Sequence, residues 1–172
     1  LAEASPSIAL GALDGRYRHA VAPLIDHLSE PALNRERLRV EVEWLIFLTD
    51  HAVIPGVGAL SADEKAALRV IPEEFGEQDI AELAAIEAET QHDVKAIEYL
   101  LKRRFAQLPG RTADDPLTEL IHFGCTSEDV NNLSYALMIR GAIQQVWHVK
   151  ARALLLQLDA MAKDLRAVPL LA

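Results

Sequence analysis

The apolar residues of this chain recur at steps of three and four for most of its length, which is the spacing of one face of an α-helix. Between Asn34 and about His51 they form a stripe made of Leu38, Val42, Leu45 and Thr49. The same segment carries the charged residues Glu36, Arg37, Arg39, Glu41 and Glu43. Charges at helical spacing form ion pairs on exposed faces, so we predict that these five are solvated. Trp44 and Phe47 are expected in the core.

Further helices are predicted from start and stop signals. Ser61 followed by Glu64 has the spacing of a capping box, and Thr90 followed by Asp93 repeats it. Proline is favoured in the first turn of a helix. These signals predict helices at 23–29, from Pro31, from Ser61 to about Val70, from Asp79 to Ile86 and from Thr90 to Arg104. Pro72 is expected to begin a short turn or helix through Phe75.

After Ser127 the chain keeps one apolar repeat to its end. The repeat consists of Val130, Leu133, Leu137, Trp147, Ala151, Leu154, Leu158, Met161, Leu165 and Val168, with Arg140 and Gln144 in two polar positions. Such a pattern predicts one long helix, straight or kinked, in a bundle with small crossing angles. About 40 residues at ~1.5 Å each span roughly 60 Å, so this helix needs partners from its own chain or from other subunits.

No segment has a convincing strand pattern, and the predicted fold class is therefore all-α. We expect an N-terminal helical domain over residues 1–111, opening with an extended arm at 1–12. The beginning of a central helix bundle should follow over residues 112–172. Pro, Gly and a pair of Asp residues within 107–115 mark the boundary between them.

Composition narrows the class of protein. The chain has 172 residues, of which 51% are hydrophobic, but no apolar run is long enough to span a bilayer and no signal peptide is recognisable. One cysteine excludes an internal disulfide and suits a reducing, cytoplasmic compartment. A net charge of −9 disfavours nucleic-acid binding. The six histidines are scattered without metal-ligand spacing, so no metal site is predicted.

Side chains that can bind small anions are concentrated in residues 122–132, where the long helix begins. Thr126 or Ser127 is expected to cap this helix, with Asp129 at capping-box spacing. A helix N-terminus attracts anions, and two hydroxyl groups beside it suit a carboxylate or phosphate. The alternative is an ordinary cap with a solvated first turn.

Two further polar segments carry candidate binding residues. Arg16 and Tyr17 follow an Asp-Gly turn, and they suit a phosphate and a base or hydroxyl contact, unless this is a plain surface turn. Gln91, His92 and Asp93 form a polar corner between helices. Adjacent helical residues do not face each other, so no His-Asp dyad is predicted, and an exposed histidine at a helix cap is the alternative.

These segments resemble the adenylosuccinate lyase family of the fumarase/aspartase superfamily. His-Phe-Gly-Cys-Thr-Ser-Glu-Asp-Val-Asn-Asn resembles its first signature, and Asp-Gly-Arg-Tyr and Thr-Gln-His-Asp-Val-Lys resemble two more of its segments, in the expected order. The resemblance runs from Leu13 to Ala172. Argininosuccinate lyases, aspartases and fumarases share Thr-Ser-x-Asp, but the other two segments are not expected in them.

The resemblance implies a helical homotetramer whose active sites combine residues from three subunits. It implies elimination of fumarate from adenylosuccinate, giving AMP, and from the succinyl-carboxamide ribotide of purine biosynthesis, without metal or organic cofactor. The substrate-binding residues it implies are Arg16, Tyr17, Gln91, His92, Asp93, Thr126 and Ser127. His92 is a possible auxiliary in proton transfer. The family more often has Asn at position 91.

The resemblance also implies that other segments carry the general acid and base. The family's Thr-His-Gly-Gln segment, which bears the acid histidine, and its Gly-Ser-Ser loop, which bears the base serine, are not among these residues. The chain starts with Leu, as part of a longer protein would. We therefore expect an N-terminal piece with little activity alone. The alternative is a non-catalytic helical module for oligomerisation or interaction.

Overall fold

The structure of the chain, a computed structural model, describes residues 8–169. Its α-helices are α1 (Arg18–Val21), α2 (Ile25–Leu28), α3 (Glu30–Asp50), α4 (Ala62–Glu73), α5 (Glu77–Thr90), α6 (Asp93–Phe105), α7 (Ser127–Gly141) and α8 (His148–Leu165). Short 3-10 turns cover Ala22–Leu24 and Pro116–Leu120, and a π-helical segment, Ala142–Trp147, joins α7 to α8. No strand occurs in the described part of the chain, and the predicted all-α fold class is confirmed.

Side-chain caps fix where two of the longer helices begin. The hydroxyl of Ser29 accepts a hydrogen bond from Ala32 N at the start of α3, whose first turn holds Pro31 as expected. At α4 the predicted capping box is confirmed: Glu64 N donates to Ser61 Oγ at 3.2 Å, and Ser61 N donates to Glu64 Oε2 at 2.7 Å. Both caps satisfy N–H groups that the first helical turn leaves unpaired.

Two predicted helix starts are wrong. Pro72 lies in the last turn of α4 rather than opening a new turn or helix, and its ring is buried. Thr90 ends α5, and His92 caps α6 in its place. The predicted arm falls largely on residues 1–7, outside the described residues, and residues 8–12 form a turn held by Asp14.

The main core lies on α3 and is enclosed by α4, α5, α6 and the 3-10 turn before α7. Its fully buried members include Leu38, Val42, Leu45, Leu68, Ile97, Leu100, Leu101 and Phe105. The predicted apolar stripe of α3 is therefore confirmed. Trp44 packs half-buried against this core, whereas Phe47 is exposed, so its expected core position is wrong.

The prediction that the charged residues of α3 are solvated is wrong for three of them. Glu36, Arg37 and Glu41 are buried, whereas Arg39 is half-buried and Glu43 is exposed. The apolar stripe is flanked by a second line of buried residues, because α6 and the N-terminal part of α7 both pack on α3. This line, Asn34, Arg37, Glu41 and Leu48, advances by three, four and seven residues and so occupies one face.

The predicted long helix is present as one helical run through α7, the π-helical segment and α8. Its buried side is Val130, Ser134, Met138 and Ala142, and none of the described residues of α8 is buried. The apolar repeat from Trp147 to Val168 is largely exposed in this chain. Within the described residues, no helix has the length and apolar character needed to cross a bilayer.

The replacement Gly141→Ala tests the contact between α2 and α7. Alanine normally stabilises a helix interior by ~1 kcal/mol relative to glycine. Here a Cβ at position 141 would lie 2.7 Å from His27 Nδ1, which forces that ring to move. We expect Gly141→Ala to lower the free energy of unfolding, and to raise it by up to ~1 kcal/mol when His27→Ala has removed the ring. Urea unfolding of the two single variants and the double variant measures this, and stabilisation by Gly141→Ala alone would contradict it.

Candidate functional site

The loop before α7 presents the cap that the sequence predicts. Thr126 is the N-cap: Asp129 N donates to its hydroxyl oxygen at 3.4 Å, and Thr126 N and Oγ1 donate to Asp129 Oδ2 at 2.8 and 2.9 Å. These bonds lower the pKa of Asp129. Ser127 is the first helical residue, and its hydroxyl has no hydrogen bond to any residue of 8–169. A hydroxyl beside first-turn N–H groups is suited to an anion.

A buried carboxylate on α3 holds this loop in place. Glu41 has no exposed surface, and it accepts two hydrogen bonds from His122: from the backbone N at 3.0 Å and from Nδ1 at 2.6 Å. His122 has a φ of 64°, in the left-handed region that residues with a Cβ rarely adopt. The bonds to Glu41 compensate for that backbone cost, and they fix the loop four residues before the Thr126 cap.

Burial controls the protonation of this region. Removal from water raises the pKa of Glu41, and hydrogen bonding to His122 opposes that shift only in part. Burial, together with the charges of Glu41 and Asp129, also raises the pKa of the Cys125 thiol. Cys125 is therefore a neutral thiol at physiological pH, not an activated nucleophile.

The second polar corner is formed where α5 ends and α6 begins. Gln91 has a φ of 53°, and its side-chain amide donates to Ala88 O at 2.7 Å. The Nδ1 atom of His92 accepts from Lys95 N at 3.2 Å and so caps α6. Because Nδ1 is the acceptor, the neutral ring carries its proton on Nε2, at the other side of the ring. His92 is exposed and can donate that proton to a ligand oxygen.

The guanidinium of Arg37 joins the polar corner at residues 91–93 to the start of α7. Arg37 is only 5% exposed, and its Nη2 donates to Asp93 Oδ2 at 2.6 Å. Its Nε donates to Asn131 Oδ1 at 2.9 Å in α7, and its Nη1 donates to Asn34 Oδ1 at 3.1 Å in α3. Desolvation would raise the pKa of Asp93, but hydrogen bonding by Val94 N and the charge of Arg37 lower it overall. The polar corner at residues 91–93 and the start of α7 are thus tied to one side chain.

The third segment makes no hydrogen bond or ion pair to this junction within the described residues. Arg16 and Tyr17 lie in an exposed turn before α1, with the guanidinium carbon of Arg16 5.6 Å from the centroid of the Tyr17 ring. Asp14 and Arg18 form an ion pair that braces the turn. Among residues 8–169, no hydrogen bond or ion pair joins Arg16 or Tyr17 to residues 91–93 or 126–127. The fold of one chain therefore brings two of the three predicted segments together.

A cavity of about 690 Å³ opens beside the loop, between α3 and α7, and Trp44, Cys125 and Leu133 are among its lining residues. The indole N–H of Trp44 donates to Phe123 O at 2.8 Å, which holds the loop against the rim of the cavity. Within residues 8–169, no group of three or more His, Cys, Asp or Glu side chains is arranged to hold a metal ion.

Sequence reasoning missed Arg37 and Glu41, which are the residues that organise the junction. The available signal was their position on one line with Asn34 and the apolar Leu48, because an apolar residue on a charged line indicates a buried face. Their partners outside α3 lie 56 to 94 residues away along the chain, and spacing within α3 does not identify them.

Substitution of Glu41 tests its hold on the loop. Glu41→Leu should lower the free energy of unfolding by about 1–3 kcal/mol, because both donors of His122 lose a buried acceptor. Glu41→Gln should be tolerated better, since the amide oxygen can accept from His122 N while the amide nitrogen donates to the other tautomer of the ring. Equal losses from both variants, measured by urea unfolding, would contradict this role.

The burial of Glu41 beside His122 also predicts how the free energy of unfolding depends on pH. A carboxyl whose pKa is raised by folding binds more protons in the folded state, so its contribution to stability falls as pH rises from its ordinary value of 4.5 through the raised pKa. The free energy of unfolding of the unsubstituted protein should therefore fall, relative to that of Glu41→Gln, as pH rises over this range. Exposed Glu43 is the control, because Arg69 lowers its pKa and gives the opposite sign. A difference between the unsubstituted protein and Glu41→Gln that does not change with pH would contradict the prediction.

The chain is similar to known enzymes over nearly its whole length. The model of a family described as Lyase matches residues 15–172. The adenylosuccinate lyase of Escherichia coli K12 is 42% identical over 170 residues, which are 99% of this chain and 37% of that protein. That of Haemophilus influenzae Rd is 40% identical over 164 residues, 95% of this chain and 35% of that protein.

The adenylosuccinate lyase of Legionella pneumophila strain Corby is 42% identical over 141 residues, 80% of this chain and 30% of that protein. The chain thus spans little more than a third of the length of the Escherichia coli and Haemophilus influenzae relatives. This similarity confirms the resemblance to adenylosuccinate lyases that the motifs indicated. Because the family model covers well over half of the sequence, the chain belongs to the Lyase family.

Proposed function

We propose that these residues are the N-terminal part of a cytoplasmic adenylosuccinate lyase of purine biosynthesis. The complete enzyme would eliminate fumarate from adenylosuccinate, giving AMP, and from the succinyl-carboxamide ribotide. The observation that carries the proposal is the junction at Arg37, where the His92–Asp93 corner and the N-terminus of α7 meet. These are two of the segments on which the resemblance to the family rests.

Each candidate residue has a proposed role. Arg16 and Tyr17 bind the nucleotide phosphate, since a guanidinium and a phenol suit its oxygens. Thr126 and Ser127 bind a carboxylate of the succinyl group at the start of α7. His92 donates its Nε2 proton in a hydrogen bond to substrate, and it is a possible auxiliary in proton transfer. Gln91 and Asp93 complete the substrate contacts.

The elimination needs a base that removes a proton beside a carboxylate and an acid that protonates the leaving nitrogen. The segments to which the resemblance assigns these groups lie outside residues 1–172. Their chemistry requires no metal or organic cofactor. We propose a homotetramer in which three subunits contribute to each site. The lack of a bond between Arg16 or Tyr17 and the junction, within residues 8–169, is consistent with sites shared between subunits.

A second candidate function is a non-catalytic helical module for oligomerisation or interaction. The exposed apolar side of α8, which includes Leu154, Leu158 and Leu165, favours it. This alternative leaves the polar junction without a purpose. It predicts that substitutions at Ser127 or Arg16 affect nothing beyond local stability.

The first test is turnover by the complete product of the gene that encodes these residues. We expect fumarate release from adenylosuccinate, and a rise of about tenfold or more in KM for Arg16→Ala, because a charge-assisted phosphate contact is worth about 1.5–3 kcal/mol. The matched control is Arg103→Ala, on the exposed side of α6 in an ion pair with Glu82. Equal kinetics for both variants would contradict the phosphate contact of Arg16, and absence of fumarate release from the complete protein would favour the interaction module.

A second test uses the 172-residue chain itself. We expect no measurable turnover from it alone, because the acid and base segments are absent from it. Fumarate release at the rate of the complete protein would overturn the assignment of acid and base to other segments. Circular dichroism of the same sample, which should show a helical spectrum, excludes unfolding as the cause of inactivity.

A further inference from the structure

The side chain of Arg37 makes contacts that stability alone does not require. It lies inside the protein, yet three of its nitrogen atoms bond three different side chains on α3, α6 and α7. A buried ion pair is often no more stabilising than apolar residues of similar volume, because both charges lose their hydration. Asp93, moreover, is half-exposed and needs no buried partner. The contacts therefore point to a role in geometry.

The acceptors of Arg37 lie next to the candidate ligand contacts. Asp93 directly follows His92, whose Nε2 proton is available to a ligand. Asn131 lies four residues after Ser127, one turn along the same face of α7. A guanidinium is planar and rigid, so its Nε and Nη2 atoms fix the separation of these two acceptors. A lysine has a single nitrogen on a flexible stem and cannot impose that separation.

We propose that Arg37 is a positioning residue that sets the distance between the imidazole of His92 and the hydroxyl of Ser127. This inference rests on the proposed lyase function. Arg37 is too deeply buried to touch a substrate, and it acts through Asp93 and Asn131. Its removal lets the start of α6 and the start of α7 relax independently, so that a ligand no longer meets both groups in one geometry.

The test compares Arg37→Met with Arg37→Lys in the complete protein, by steady-state kinetics with adenylosuccinate and by thermal unfolding. Misplacement of contact groups by ~1 Å can cost about a hundredfold in rate. We expect kcat/KM to fall by about that factor in both variants, with most of the change in KM and with a preserved unfolding transition. Failure of lysine to rescue shows that geometry, not charge, is what Arg37 supplies.

The control is Arg69→Met, which removes an exposed arginine paired with Glu43 and should leave the kinetics unchanged. If Arg37→Met does not fold, Asn131→Leu replaces it, because this change removes only the bond between Arg37 and α7. The same fall in kcat/KM, with a preserved unfolding transition, is then expected. Unchanged kcat/KM in a folded variant overturns the positioning role. If the unsubstituted protein releases no fumarate, the proposed function fails instead, so the two failures are distinguishable.

A chemical rescue separates positioning from a general loss of structure. Arg37→Ala leaves a cavity that methylguanidine can enter. We expect millimolar methylguanidine to recover part of the lost kcat/KM in Arg37→Ala and to have no effect on Arg69→Ala. Recovery confined to Arg37→Ala supports the proposal, and no recovery in a variant that folds and binds methylguanidine contradicts it.

Discussion

The geometry of the candidate site depends on two charged side chains that α3 buries with their bonding partners in place. Arg37 and Glu41 lie one helical turn apart, and they bond segments that are distant in sequence. A buried charge is costly unless it is paired and hydrogen-bonded. The start of α6, the start of α7 and the loop at His122 therefore cannot move away from α3 without exposing or orphaning a charge. The cost of burial is what makes their relative positions well defined.

Local signals were sufficient for most of the helices and insufficient for the junction. Capping boxes at Ser61 and Thr126 depend on residues three apart, and the apolar stripe of α3 depends on its own periodicity. The line through Glu41 and Leu48 indicates a buried face, but the partner of Glu41 lies in a loop 81 residues later, which no pattern within α3 identifies. The capping-box spacing of Thr90 and Asp93 predicts a cap at Thr90. The left-handed backbone at Gln91 ends α5 and passes that role to His92.

The exposure of the C-terminal helix α8 has a geometric origin. The line of Val130, Ser134, Met138 and Ala142 holds α7 against the rest of the chain, and it ends where the π-helical segment begins. A π-turn changes the phase of a helix, so it redirects the side chains that follow it. Beyond it, α8 leaves the body of the chain and presents apolar residues that this chain does not cover. A helix of that kind is stable when other helices pack on it.

The hydrogen bonds divide the candidate binding residues into two groups. Asp93 and Thr126 are committed to Arg37 and to Asp129, so they build the site's framework. His92 uses Nδ1 for its cap and leaves Nε2–H to the solvent, and the hydroxyl of Ser127 bonds no residue of the described chain. A ligand gains most from groups that are fixed in position but not already bonded, because it then loses little in reorganisation. His92 and Ser127 therefore carry the unbonded groups at this junction. Asp93 and Thr126, besides the substrate contacts proposed for them, hold those two groups at the required separation.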